Sequence, residues 1–408
     1  LIGAIVGMVV VSFILLTEHT GARLYPAGGS PWRRLLMPIG GSLGMGYLLY
    51  KYFPEARGSG VPQTKAALFA RDGYISLGTI LGKFFCTSAT LACGIPLGRE
   101  GPTVQVGAAI MHTLGRLVRL PRLELQRALV LAGGAAGVAA AFNTPLAGVV
   151  FAIEELSHSF ETRTSGTVLT AVIIAGITTL ALVGNYTYFG HTSAELDFGR
   201  GWIAVVLCSL AGGLFGGLFS AALIRAAGGL PGRVGQVLMR HPVAFAALCG
   251  LALAVIGVAS GGQTYGTGYD QARGMVEGTQ YLPGSYVVLK FAATVISYIS
   301  GIPGGLFAPS LSVGAGLGAW LAQLMPAAPA GAVVLLGMVA YFSGVVQAPI
   351  TATIIVMEMT DNQRVTIPLL ATAFLAFGAS RLVCRQPIYS ALARRFLEVQ
   401  EGRTPAQA

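Results

Sequence analysis

The sequence predicts an all-α integral membrane protein assembled from two related helical halves, and three features carry that prediction. Only 10% of its 408 residues are charged, 54% are hydrophobic, and the mean hydropathy is +0.70; an average soluble domain carries about 25% charged residues. Apolar runs able to cross a hydrocarbon core, which takes about 20 residues, lie at 1–16, 167–184, 201–224, 242–259, 330–357 and 365–384. The chain also repeats itself. KFFCTSATLACGIPLGREGPTVQVGA from Lys83 lies without a gap over KFAATVISYISGIPGGLFAPSLSVGA from Lys290, and after a small change of offset Pro145 and Glu154 match Pro349 and Glu358.

The repeat divides the chain near residue 200, in the polar stretch GNYTYFGHTSAELDFGRG. The first transmembrane half spans 1–200 with its repeat core at 83–156, the second spans 201–396 with its core at 290–360, and 397–408 is a short tail. Between the long runs lie segments interrupted by glycine and proline. In a bilayer such backbone is tolerated where it is buried in protein or lines a cavity, and broken segments at matching positions of two halves are the pattern of secondary transporters.

In chain order, GGSLGMG at 40–46 and GGLFGG at 212–217 carry small-residue spacings that let membrane helices approach closely. GSGVP at 58–62, GREGP at 98–102 and GGLFAP at 304–309 each place small residues before a proline and an apolar run. Proline is pre-set for the first helical turn, whose free N–H groups and partial positive charge suit an anion. Each break taken alone reads as a plain helix boundary; three of them, two related by the repeat, favour an anion site. Partial charges also let an ion leave, whereas one full charge at 4 Å holds it by about 4 kcal/mol even at an effective dielectric of about 20.

Charge falls mostly in loops and at run ends. Arg116, Arg119, Arg122 and Arg127, then Arg381, Arg385, Arg394 and Arg395, supply much of the net +10 and suit membrane anchoring. No basic run interleaves with aromatics, so nucleic-acid binding is not expected. The five cysteines lack CxxC spacing. Glu155 and His158 spell ExxH, but no second copy with further carboxylates accompanies it, so neither a metal nor a cofactor is expected. An intramembrane hydrolase would need a serine with a histidine in reach, and His19, His112, His158, His191 and His241 all lie outside the repeated GIP cores.

These elements together resemble the CLC chloride channels and chloride/proton antiporters. GSGVP is similar to that family's GSGIP, GREGPTVQ to its GREGP element, GGLFAP to its GxFxP element, and QPIYSAL at 386–392 to the segment with its central tyrosine. The resemblance runs from about residue 30 to residue 396, with the elements in family order. It implies two inverted-topology helical repeats with broken, tilted helices, an integral multi-pass protein of the cell membrane, and a homodimer with one anion pathway in each subunit. The chain ends soon after Arg395, which suits a prokaryotic type without cytoplasmic regulatory domains.

Carried over by residue, the resemblance makes Ser59 and Tyr389 hydroxyl donors to a central chloride. The backbone N–H groups of Leu306 and Phe307 complete that site, and Arg99 and Gly101 mark an outer anion site. Glu100 is the gating glutamate and proton acceptor: ionised, it occupies an anion position, and protonated, it swings aside. Its repeat partner is the uncharged Phe307. Taken without the family, Glu100 reads as a favourable charge at a helix start, Arg99 as a snorkelling side chain and Tyr389 as an interfacial belt residue.

Glu155 corresponds to the intracellular proton-transfer glutamate of the family's antiporters, although by pattern alone Glu154 and Glu155 read as solvated side chains where a helix leaves the membrane. Glu154, repeated as Glu358, reads as structural. Gln63 and Lys65 depart from the acidic residues common after GSGIP in those antiporters, which bears on proton coupling. The expected function is exchange of chloride for protons, and the competing one is a passive chloride channel of the same fold. The partners expected are chloride, protons, membrane lipid and a second copy of the chain.

Overall fold

The computed structural model describes residues 1–24, 30–70, 75–117, 123–157, 162–197, 199, 201–229, 235, 238 and 240–400. Among them are seventeen α-helices and no strand. The first half holds α1 (Ile2–Leu24), α2 (Pro31–Lys51), α3 (Val61–Phe69), α4 (Leu77–Ala92), α5 (Glu100–Leu117), α6 (Leu123–Phe142), α7 (Pro145–Phe151) and α8 (Thr162–Val183). The second holds α9 (Trp202–Ala227), α10 (Pro242–Ala259), α11 (Tyr269–Val276), α12 (Ser285–Ile299), α13 (Phe307–Ala322), α14 (Ala330–Val346), α15 (Pro349–Thr360), α16 (Thr366–Val383) and α17 (Ile388–Gln400).

Among the described residues, six helices are long and apolar enough to cross a membrane: α1, α6, α8, α9, α10 and α16. Two differ from the sequence expectation. The run 330–357 is divided into α14 and α15, because Gln347 takes a left-handed conformation (φ +60°) and Pro349 starts the next helix while holding Ala348 extended. The first half breaks in the same way at Asn143 (φ +56°) before Pro145. Conversely α6, absent from the runs above, spans membrane length over Leu125–Phe142 and is mostly covered by protein. On α8, α9 and α10, residues such as Ile177, Leu214 and Val255 are exposed, and in a bilayer this surface meets lipid.

The two halves interlock through residues that are each other's repeat partners. Gly98 N–H donates to the Gly305 carbonyl at 2.7 Å and Gly305 N–H donates to the Gly98 carbonyl at 2.6 Å. Glu154 accepts from the N–H groups of Ile350 (3.1 Å) and Thr351 (2.6 Å), capping the start of α15. Glu358 accepts from Leu146 (3.2 Å) and Ala147 (2.7 Å), capping the start of α7. Each carboxylate thus satisfies orphan donors at the start of the helical segment that leads to its repeat partner. These reciprocal contacts explain why Glu154 recurs as Glu358.

The repeated VGA ends of the two blocks have a packing cause. A Cβ on Gly133 of α6 would lie 2.3 Å from the Gly107 carbonyl of α5, and a Cβ on Gly337 of α14 would lie 2.5 Å from the Gly314 carbonyl of α13. Both helix pairs are in backbone contact, which only glycine allows. GGLFGG repeats the device on α9: Gly212 and Gly216 meet α14, while Gly213 and Gly217 meet α16. In GGSLGMG, Gly41 packs against Cys93 and Gly46 against Ala246, whereas Gly40 and Gly44 face open space. Gly133→Ala is expected to force α5 and α6 apart and to cost about 1–3 kcal/mol, read as a lowered thermal transition in detergent, while Gly44→Ala leaves that transition in place.

Candidate functional site

Three helix starts converge where the chain breaks. The turn before α3 is made by Gly58, Ser59 and Gly60, with Gly60 at φ +104°. Gln63 closes it, accepting from Gly60 N–H at 2.9 Å and donating to the Arg57 carbonyl at 2.6 Å. The buried Lys83 ammonium donates to the carbonyls of Arg57 and Gly58. A Cβ on Gly60 would come within 2.4 Å of the Gly101 carbonyl, and one on Gly101 within 2.5 Å of Ser59 Oγ. The starts of α3 and α5 therefore touch through backbone. The Gly98–Gly305 pair ties both to the start of α13.

Around this junction the polar groups are short of partners. Ser59, Tyr389 and Glu100 are all fully buried. The hydroxyls of Ser59 and Tyr389 and the Oε2 oxygen of Glu100 have no hydrogen-bond partner among the described residues. A buried polar group without a partner costs about 1–3 kcal/mol, so three such atoms in one place are the mark of a site made for something else. Leu306 precedes α13 with no side chain capping it, and the first N–H groups of a helix have no intrahelical acceptor. Phe307 closes the space on one side. Its ring stacks on Phe142 at 5.9 Å and meets Phe342 at 5.0 Å, Phe151 at 5.7 Å and Tyr389 at 6.0 Å.

The Glu100 carboxylate lies over the glycine pair: a Cβ on Gly98 would be 2.1 Å from Oε2, and one on Gly305 3.2 Å from it. Larger residues at 98 or 305 would leave it no room. Its other oxygen, Oε1, accepts a hydrogen bond from the Tyr269 hydroxyl. Arg99, beside it, is almost wholly buried and is held by Glu18 at 3.1 Å and by Thr17 at 3.3 Å. Its guanidinium lies 4.9 Å from the Tyr188 ring and 5.6 Å from the Tyr269 ring. Arg99, Glu18, Tyr188 and Tyr269, with Arg34 and Arg273, line a cavity of about 950 Å³.

The joined helix starts thus bring the buried Glu100 carboxylate, Ser59 and Tyr389 into one region, as the order of the sequence elements anticipates. A family model described as "Voltage gated chloride channel" matches residues 41–381. The chain belongs to the voltage gated chloride channel (CLC) family. Its fold is that of solved CLC proteins. An X-ray structure of a slow cyanobacterial Cl⁻/H⁺ antiporter matches with a TM-score of 0.83 at 24% identity, covering 98% of this chain and 97% of the other. A CLC-type fluoride/proton antiporter matches at 0.81 and 25% identity, covering 96% and 95%. A eukaryotic CLC transporter matches at 0.76 and 19% identity, covering 96% and 73%.

At Glu155 the structure departs from a solvated helix end. Beyond α7 the chain continues as a wide π turn over Ala152–Ser157, and there Glu155 is buried. Its Oε1 accepts from Lys65 Nζ at 2.8 Å, and the same ammonium donates to Ser390 Oγ at 2.8 Å. Lys65 thus links α3, which follows Ser59, to α17, which carries Tyr389. Glu154, one residue earlier, points the other way into its cap. His158 lies outside the described residues, so the ExxH pair has no structural description; Arg119 and Arg122 lie outside them as well.

Sequence reasoning missed Tyr269. The structure shows what the sequence left unread: Lys290 Nζ donates to the carbonyls of Thr264 (2.9 Å) and Gly266 (2.8 Å), as Lys83 does to Arg57 and Gly58. Gly266, Thr267 and Gly268 are therefore the second copy of Gly58, Ser59 and Gly60, and Gly268 at φ +88° matches Gly60. GTGYD lacks the proline of GSGVP, and this hid the correspondence.

Proposed function

We propose that the protein exchanges chloride for protons across the membrane, as a homodimer with one pathway per subunit. Chloride binds between the hydroxyls of Ser59 and Tyr389 and the backbone N–H groups of Leu306 and Phe307. An outer position lies at the N–H groups that follow Arg99, including that of Gly101. Glu100 is the gate and proton acceptor: its carboxylate fills the anion path when ionised and leaves it when protonated. Glu155 passes protons to and from the inner side. The observation that carries this reading is the wholly buried Glu100 carboxylate over the Gly98–Gly305 pair, with one oxygen unpartnered beside two unpartnered hydroxyls. A charge in that position is costly unless it stands where an anion is welcome.

The Lys65–Glu155 ion pair favours a second reading, a passive chloride channel of the same fold, in which Glu155 is locked by its counter-ion. Reconstitution decides between them. Liposomes holding the protein and an outward chloride gradient are followed for chloride efflux and external pH together. Uphill proton movement driven by chloride supports exchange; chloride flux with no proton movement refutes it in favour of the channel. In the same assay Glu155→Gln is expected to lower proton flux by about a hundredfold or more, the low end of what general acid–base groups supply, and to spare chloride flux. Retained proton flux would assign the inner route to other groups.

A further inference from the structure

We infer that Tyr269 is a positioning residue for the gate: its hydroxyl holds the ionised Glu100 in the anion path and so sets the pH at which chloride flux turns on. The inference rests on the reading of Glu100 as the gate. Among the described residues, the Tyr269 hydroxyl is the hydrogen-bond partner of the Glu100 carboxylate through Oε1, while Oε2 has none. The Thr103 hydroxyl nearby donates to the Glu100 main-chain carbonyl at 2.6 Å and not to the carboxylate. A donor to a carboxylate is strongest when the acceptor is ionised, so this contact favours the charged, blocking form over the protonated one.

Tyr269 is built to hold that direction. It opens α11 directly after the left-handed Gly268, whose carbonyl accepts from Ser312 Oγ at 2.9 Å. Lys290 fixes the preceding turn. The ring is clamped by a stack on Tyr188 at 4.9 Å, a tilted contact with Phe189 at 5.3 Å and the Arg99 guanidinium. In the first half the same turn is followed by Val61, which has no donor to offer. One copy of the turn brings Ser59 to the central site, and the other, inverted copy brings a phenol to the gate from the side of the large cavity, which Tyr269 also lines.

The other ionisable groups around Glu100 leave the role to Tyr269. Arg99 and Tyr389 interact with its carboxylate electrostatically, but the terminal nitrogens of Arg99 donate to Glu18 and Thr17. Glu18 on α1 reaches Glu100 only through Arg99. Lys65 on α3 and Lys83 on α4 turn their ammonium groups to Glu155 and to the turn before α3. α13 has no ionisable residue.

The test is the liposome assay run across a pH series on the full chain, comparing wild type, Tyr269→Phe, Glu100→Gln and the double variant. Phenylalanine keeps the ring stack and removes only the hydroxyl. The half-maximal point of chloride flux in Tyr269→Phe is expected to move toward alkaline pH by about one unit, the size of one hydrogen bond to a charged group. Flux in Glu100→Gln is expected to be flat with pH, and adding Tyr269→Phe to it changes nothing. A Tyr269→Phe profile that overlays wild type, or moves toward acid, overturns the role of Tyr269 while a flat Glu100→Gln profile keeps the gate reading. A Tyr269 effect that persists in the Glu100→Gln background overturns it too, placing the action elsewhere. If Glu100→Gln keeps both the wild-type pH dependence and proton transport, the gate reading fails and this inference fails with it.

Discussion

Glu100→Gln is expected to bring proton transport to background while chloride continues to pass. Glutamine has the size of glutamate and carries no exchangeable charge at any pH. It can still sit over Gly98 and Gly305, where the small residues make room. What it cannot do is bind a proton on one side and release it on the other, nor compete as an anion with chloride for the same backbone donors. Both losses are expected from one substitution because the proposed gate and the proposed proton acceptor are one group. Chloride efflux by electrode and external pH, recorded together, give the result. Proton movement retained in Glu100→Gln would move the proton acceptor to another residue, and abolished chloride flux would show that the carboxylate is needed to build the path rather than to block it.

The second large effect is expected at Lys65. Lys65 and Glu155 are both buried, and their ion pair at 2.8 Å holds two charges away from water. Removing one partner from such a pair costs about 3–5 kcal/mol, because it leaves the other charge uncompensated. Lys65→Met is therefore expected to lower the thermal transition in detergent markedly, and Lys65→Met with Glu155→Gln to recover most of the loss. A double-mutant cycle measures the coupling directly. If the two single substitutions add, the pair is not an energetic unit, and the link from α3 to α17 through Ser390 carries the stability instead. The same variants connect packing to function, since Lys65 joins the helix after Ser59 to the helix that bears Tyr389. Gln63, the other departure from the acidic pattern, is spent on closing the turn before α3, and this accounts for an uncharged amide there.

Much of this was legible before any coordinates. The gapless overlay of Lys83 on Lys290 carried the pairing of Glu100 with Phe307, and the recurrence of Glu154 as Glu358 marked both as structural. Their reciprocal caps then gave the reason. The legible features share a property: each is written as residue identity at fixed spacing. The unbroken run at 330–357 misled because hydropathy is blind to a single left-handed residue, and α6 is less conspicuous because its small alanines and glycines give it a lower hydropathy than the other membrane-length helices.

By itself the sequence determined the environment, the duplicated architecture and the residue at its broken centre, since low charge, apolar length and repeated spacing are properties of a one-dimensional string. Tertiary structure alone decided the partners. That Arg99 is held by Glu18, that Lys65 meets Glu155 across 90 residues and that Tyr269 meets Glu100 across 169 depends on helices brought together by inversion of one half against the other. Hydrogen bonds and ion pairs act over a few ångströms, and spacing along the chain does not encode which distant side chain will fall within that reach.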